Sequence, residues 1–207
     1  MKAKGNVYLV EDDPDLRMHL GDMLRHLGYH VSDFETASMF LNRAHPCSPA
    51  VLVLDMRMPQ MSGLDLQKEL LTKAWTLPIV FISGESQSQE IIDAMKLGAV
   101  DFLWKPFAQS DLILAIEKSL KLSAHQHEDQ QRQFQVAKLH QSLSPRERNM
   151  LALMLLGHGN KDIASATGVM ADTVKKYRAQ ILAKMQVNTF AELLALCKDH
   201  APPANNH

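Results

Sequence analysis

The chain has 207 residues, 46% apolar and 22% charged, with a formal net charge of −1, the profile of an ordinary globular protein of one or two domains. No run of about 18 uncharged apolar residues occurs, which excludes a transmembrane helix; the opening MKAKGNVYLVEDD turns acidic too early for a signal peptide to be expected. Cys47 and Cys197 lie far apart without metal or redox spacing, and they are expected as reduced thiols in the cytosol.

The charge is uneven along the chain. Residues 1–122 hold 12 Lys and Arg against 16 Asp and Glu, and residues 123–207 hold 10 against 7. An acidic half joined to a basic half suggests a regulatory module tied to a nucleic-acid module.

In chain order, NVYLVE reads as a short strand ending in acid, and PDLRMHLGDMLRHLGY as a helix with Leu16, Leu20, Leu24 and Leu27 on one face. HVSDFE is a second strand and TASMFLNRA a short helix. AVLVLD is a third strand, with LDLQKELL as the helix after Gly63. LPIVFISG and SQEIIDAMKLGA form the fourth pair, VDFLWKPF and SDLILAIEKSLKL the fifth. Five strand–helix units with short links predict a doubly wound, five-stranded parallel sheet covered on both faces. The site of such a sheet lies beyond the strand carboxyl ends.

Those ends carry Glu11, Asp12 and Asp13, then Asp55, Ser83, and Lys105 before Pro106. Carboxylates at close range repel unless a cation joins them. Mg2+ suits a site with few carboxylates, and Lys105 adds a fixed positive charge. Asp55 is then a candidate nucleophile of the aspartyl-phosphate type. Asp13 reads either as a cap before the helix or as a further ligand.

VEDDP, Asp55 with Pro59 and Gly63, Ser83-Gly84 and Lys105-Pro106 resemble, in that order, the receiver domain of two-component response regulators, over about residues 4 to 122. The resemblance implies the flavodoxin-like receiver fold, with Asp55 as phosphoacceptor. It implies a Mg2+ site from Glu11, Asp12, Asp55 and the carbonyl of Arg57. Ser83 and Lys105 would hold phosphoryl oxygens, and Phe102 would stand at the aromatic switch position, or simply pack in the core. Phosphorylation would move Ser83 and Phe102 and alter the face of helix four, strand five and helix five. Arg57 and Glu85 are expected to pair over the phosphoryl group, or to be two solvated side chains.

Residues 123–141 read as a linker, helical because it contains no Pro or Gly; His125, His127 and His140 are read as solvated rather than as metal ligands. From there the apolar period is helical throughout. In LSPRERNMLALMLLG, Ser144 caps, Pro145 opens the helix and Glu147 completes a capping box. Asn160 is expected to cap KDIASAT, Gly168 makes a turn, and DTVKKYRAQILAKM follows with Lys175, Lys176, Arg178 and Lys184 opposite Val174, Tyr177, Ile181 and Met185. Two short helices about a Gly turn predict a helix-turn-helix.

Residues 142–200 resemble the LuxR-type helix-turn-helix through Leu143, Pro145 to Arg148, Gly157, Asn160-Lys161, Ile163-Ala164, Gly168, Thr173 to Lys175, Arg178 and Ile181-Leu182. With the receiver in front, the chain is similar to the NarL/FixJ group of response regulators, a small all-α domain following the α/β one. The resemblance implies base contacts from Lys175, Lys176 and Ala179, and phosphate contacts from Lys161, Thr173 and Arg178. Met170 stands where the family has a small capping residue, so Asp172 is expected to cap and shorten the helix start. Residues 201–207 are expected to be disordered.

The expected function is a cytoplasmic transcription factor controlled by phosphorylation of Asp55. The partners are a sensor histidine kinase, promoter DNA, a second copy on phosphorylation, and RNA polymerase; no membrane is involved. No turnover is expected beyond self-phosphorylation and autodephosphorylation. Two alternatives stay open. One is a haloacid-dehalogenase-type phosphatase, which needs an Asp where Arg57 stands; the other is an interaction module indifferent to phosphate.

Overall fold

A computed structural model describes residues 4–85 and 87–198. The expected disorder of residues 201–207 falls outside them. The chain forms two compact units that divide after Glu128.

The first unit alternates β1 (Asn6–Val10), α1 (Pro14–His26), β2 (His30–Phe34), α2 (Ala37–Arg43), β3 (Ala50–Asp55), α3 (Gly63–Thr72), β4 (Ile79–Ser83), α4 (Ser88–Lys96) and β5 (Asp101–Trp104). The helix α5 (Gln109–Gln141) follows, and the division between the units falls inside it. All strands are parallel, in the order β2-β1-β3-β4-β5. This is the doubly wound sheet that five strand–helix repeats require.

Period-two alternation splits each central strand between two cores. Tyr8, Val10, Leu52, Leu54 and Phe81 join Phe40, Leu66 and Leu70 on one face. Val7, Leu9, Val51, Val53, Val80 and Ile82 join Leu20, Leu24, Leu112 and Ile116 on the other. All of β3 and all of β4 are buried, which is why they read as unbroken apolar runs. The chain reverses direction between β1 and β3, so a cleft opens at their carboxyl ends.

The second unit holds α6 (Pro145–Leu155), α7 (Asn160–Thr167), α8 (Ala171–Lys184) and α9 (Phe190–Lys198). Leu151, Met154, Ile163, Val174, Ile181, Met185 and Leu193 form its core. Gly168 joins α7 to α8 in the left-handed region, φ 68°, where a side chain would be strained.

Two caps differ from expectation. Gly159, not Asn160, is the N-cap of α7, because the Asp162 carboxylate accepts the Gly159 N–H at 3.0 Å and satisfies the turn from inside the helix. Met170, not Asp172, stands at the N-cap of α8 without a side-chain bond; Asp172 lies in the first turn and pairs with Lys175 at 3.0 Å. The helix start is therefore not shortened. No helix among the described residues is long and apolar enough to cross a membrane.

Candidate functional site

Sharp turns at three strand ends assemble the acidic site. After β1 the chain turns through Glu11, Asp12 and Asp13. Asp13 caps α1, accepting the N–H groups of Asp15 and Leu16 at 2.9 and 3.1 Å. Arg17, one turn into α1, donates to the carbonyls of Glu11 and Asp12 at 2.6 and 3.1 Å and braces the turn from beneath. Asp55 ends β3, and one of its oxygens accepts the Arg57 N–H at 3.1 Å. Gly63 opens α3 so close to that strand end that a Cβ would stand 2.3 Å from the Asp55 carbonyl oxygen. Pro59 and Gly63 thus turn the chain tightly enough to leave the Asp55 side chain at the rim.

Carboxylate oxygens of Glu11, Asp12 and Asp55 lie within 4.8 Å of one another. Glu11 is 1% exposed and Asp55 5%. Lys105 Nζ reaches both, at 2.8 Å to Glu11 Oε2 and 2.8 Å to Asp55 Oδ2. Burial lifts the Glu11 carboxyl to about 7; hydrogen bonding to Lys105 pulls it back, and the Asp55 charge pushes it up again. For Lys105, burial works against the ammonium, yet the two carboxylates hold its pKa above the usual lysine value.

One ammonium thus faces three carboxylates, and Glu11 Oε1 is buried without a donor. An orphaned buried oxygen beside two further hard oxygen ligands fits a divalent cation that prefers oxygen, such as Mg2+.

Ser83 ends β4, fully buried, and its hydroxyl donates to the Glu85 carbonyl at 2.8 Å. Phe102 is half-buried in β5, edge-on to Trp104 with centroids 5.1 Å apart. Arg57 does not pair with Glu85. Its guanidinium meets Glu90 in the first turn of α4 at 3.3 Å, because that carboxylate already faces the loop while accepting the Gln87 N–H at 2.8 Å. Sequence reading missed Glu90 and Arg17. A basic residue in the first turn after an acidic loop was the available signal for Arg17; Glu90 had none, standing 33 positions from Arg57.

In the second unit, Lys175, Lys176 and Ala179 lie exposed on one face of α8, and Lys161 is exposed on α7. Thr173 and Arg178 are half-buried, with the Arg178 guanidinium 5.3 Å from the centroid of the Phe190 ring. Lys184 is engaged differently. It bonds the buried Glu147 carboxylate at 2.7 Å and holds that acid below its ordinary range, helped by the Ser144 backbone. Glu147 also completes the Ser144 capping box, so this pair belongs to the scaffold.

The chain matches the response regulator receiver domain over residues 7–117 and the luxR family of bacterial regulatory proteins over residues 141–196. It belongs to the response regulators, with a receiver followed by a LuxR-type DNA-binding domain, the arrangement of the NarL/FixJ group. It is 37% identical to the response regulator protein TodT of Pseudomonas putida over 91% of this chain and 83% of that one. It is 34% identical to the transcriptional regulatory protein FixJ of Bradyrhizobium diazoefficiens over 95% and 96%. The solved structure of the response regulator StyR superimposes with a TM-score of 0.85 at 40% identity, covering 96% of this chain and 100% of that one.

Proposed function

We propose that Asp55 accepts a phosphoryl group from a histidine kinase or a small phosphodonor, and that this event controls binding of promoter DNA. The observation that carries the reading is the meeting of Glu11, Asp12, Asp55 and Lys105 at the ends of three strands. An Asp55 oxygen attacks phosphorus, the bond from phosphorus to the donor nitrogen breaks, and the imidazole leaves. Catalysis here is positioning and charge neutralisation. Glu11, Asp12, Asp55 and the Arg57 carbonyl would hold Mg2+, which when bound neutralises charge on the phosphoryl oxygens. Lys105 exchanges carboxylate for phosphoryl oxygen, and Ser83 leaves the Glu85 carbonyl to donate to another. Phe102, only half-buried, follows Ser83. The same residues carry self-phosphorylation and autodephosphorylation.

Lys175, Lys176 and Ala179 would read base edges in the major groove, while Lys161, Thr173 and Arg178 hold phosphates. One small helical unit offers limited interface, so a phosphorylated homodimer on two half-sites gives specific affinity, with RNA polymerase as the downstream partner in the cytoplasm. The phosphatase alternative lacks its second acid, since Arg57 stands there.

The test compares wild type with Asp55→Asn after acetyl phosphate and Mg2+. The wild type is expected to gain acid-labile phosphate and at least about tenfold in DNA affinity, and the variant neither. Equal responses overturn the reading and leave a phosphate-indifferent module.

A further inference from the structure

At the opposite end of the sheet, under the amino ends of β4 and β5, the first unit carries a pocket of about 220 Å3. Leu70, Trp75, Leu77, Ile79 and Val100 supply apolar walls. Two amides interrupt them. Gln67, on α3, is 2% exposed. Its Nε2 donates to the Ala94 carbonyl of α4 at 3.0 Å, which fixes the amide's orientation. The Oε1 atom is thereby the other end, and it meets no donor. Gln126, on α5, lines the same pocket, and its Oε1 is also buried without a donor.

Buried acceptors in folded proteins nearly always find a partner, because an unmatched one keeps its full desolvation cost. A core position on α3 would be filled more cheaply by Leu. Apolar walls with one or two convergent polar atoms are the usual make-up of a small-molecule site. A cavity of about 150 Å3 accepts a benzene ring, so this one has room for a fused pair of rings.

We propose that this pocket binds a small aromatic molecule carrying an N–H or O–H donor, its rings among Leu70, Leu77, Ile79 and Val100 and its donor on the Gln67 or Gln126 oxygen. The phosphoryl chemistry uses the other ends of these strands, so the two sites do not share a residue.

Indole and indene have nearly the same shape, and only indole has the N–H. Each is titrated into the isotope-labelled full-length protein and followed by NMR. Indole is expected to shift the Leu77 and Val100 amides and the Gln67 side-chain amide. Its ring protons should give contacts to the Leu70 and Ile79 methyls. It should bind about tenfold more tightly than indene. Gln67→Leu combined with Gln126→Leu should erase that preference; the wild-type comparison stands even if this variant folds poorly. Shifts centred elsewhere, or equal affinity for the two molecules, overturn the proposal. So does a high-resolution crystal grown with indole in which water, or the two amides bonded to each other, satisfies these oxygens and no indole is seen.

Discussion

Glu11 shows how one side chain makes the receiver pH-sensitive. The folded protein lifts its carboxyl from the ordinary 4.5 to about 7, so the folded state holds the proton more tightly than the unfolded chain. Its contribution to stability is therefore full below about pH 4.5 and is lost as pH rises through 7. Without Mg2+, Glu11→Gln should match the wild type at pH 5 and exceed it at pH 8 by up to about 3 kcal/mol. Urea unfolding in EDTA checks this, with fluorescence reporting only the receiver because both tryptophans, Trp75 and Trp104, lie there. A gap that is the same at both pH values would remove this account of the site's charge. The Arg57–Glu90 pair is half-exposed and so worth no more than about 1 kcal/mol, weak enough for a phosphoryl dianion to displace. Glu90→Gln keeps an acceptor for the Gln87 N–H while releasing Arg57. The half-life of the aspartyl phosphate is expected to lengthen a few-fold, as the freed guanidinium hinders water. A half-life unchanged from wild type, measured by loss of acid-labile phosphate, rejects a role for Arg57 over the site.

Among the elements, the strands were the most legible. β3 and β4 are buried on both faces, so their sequences carry no polar interruption, and the residues that end them are the residues at the rim. Helix starts were less legible. The caps at Gly159 and Met170 offer no side-chain oxygen to mark them; Asp162 does the capping of α7 from three positions on. Lys184 also reads as part of a basic helix face, because its partner Glu147 is 37 positions away and only packing of α6 on α8 brings them together. The join between β3 and α3 gives a direct test. Because a Cβ at Gly63 would press on backbone rather than on a movable side chain, Gly63→Ala should cost about 3 kcal/mol of receiver stability. A loss below about 0.5 kcal/mol, near the scatter of surface substitutions, would mean that the turn relaxes freely.

For the molecule as a whole, the acidic and basic halves seen in the sequence correspond to two units of different chemistry, an anionic rim around Lys105 and an exposed row of lysines on α7 and α8. If Lys161 holds a phosphate, Lys161→Ala should lower the slope of log affinity against log salt by about 1 per bound copy and weaken all sequences alike. Lys176→Ala should instead relax the preference among sequences. Filter binding over a range of salt separates the two, and identical slopes for wild type and Lys161→Ala would take Lys161 out of the interface. The first unit has two ends of its own. β4 begins at Ile79, in the wall of the amide-lined pocket, and finishes at Ser83 beside Asp55; in between it is flanked by β3 and β5 and fully covered. A strand clamped along its whole length has no slack to bend. Any message between its two tips would have to travel as an all-or-none change of packing, so a guest below could tip the balance between resting and activated forms without ever creating a third.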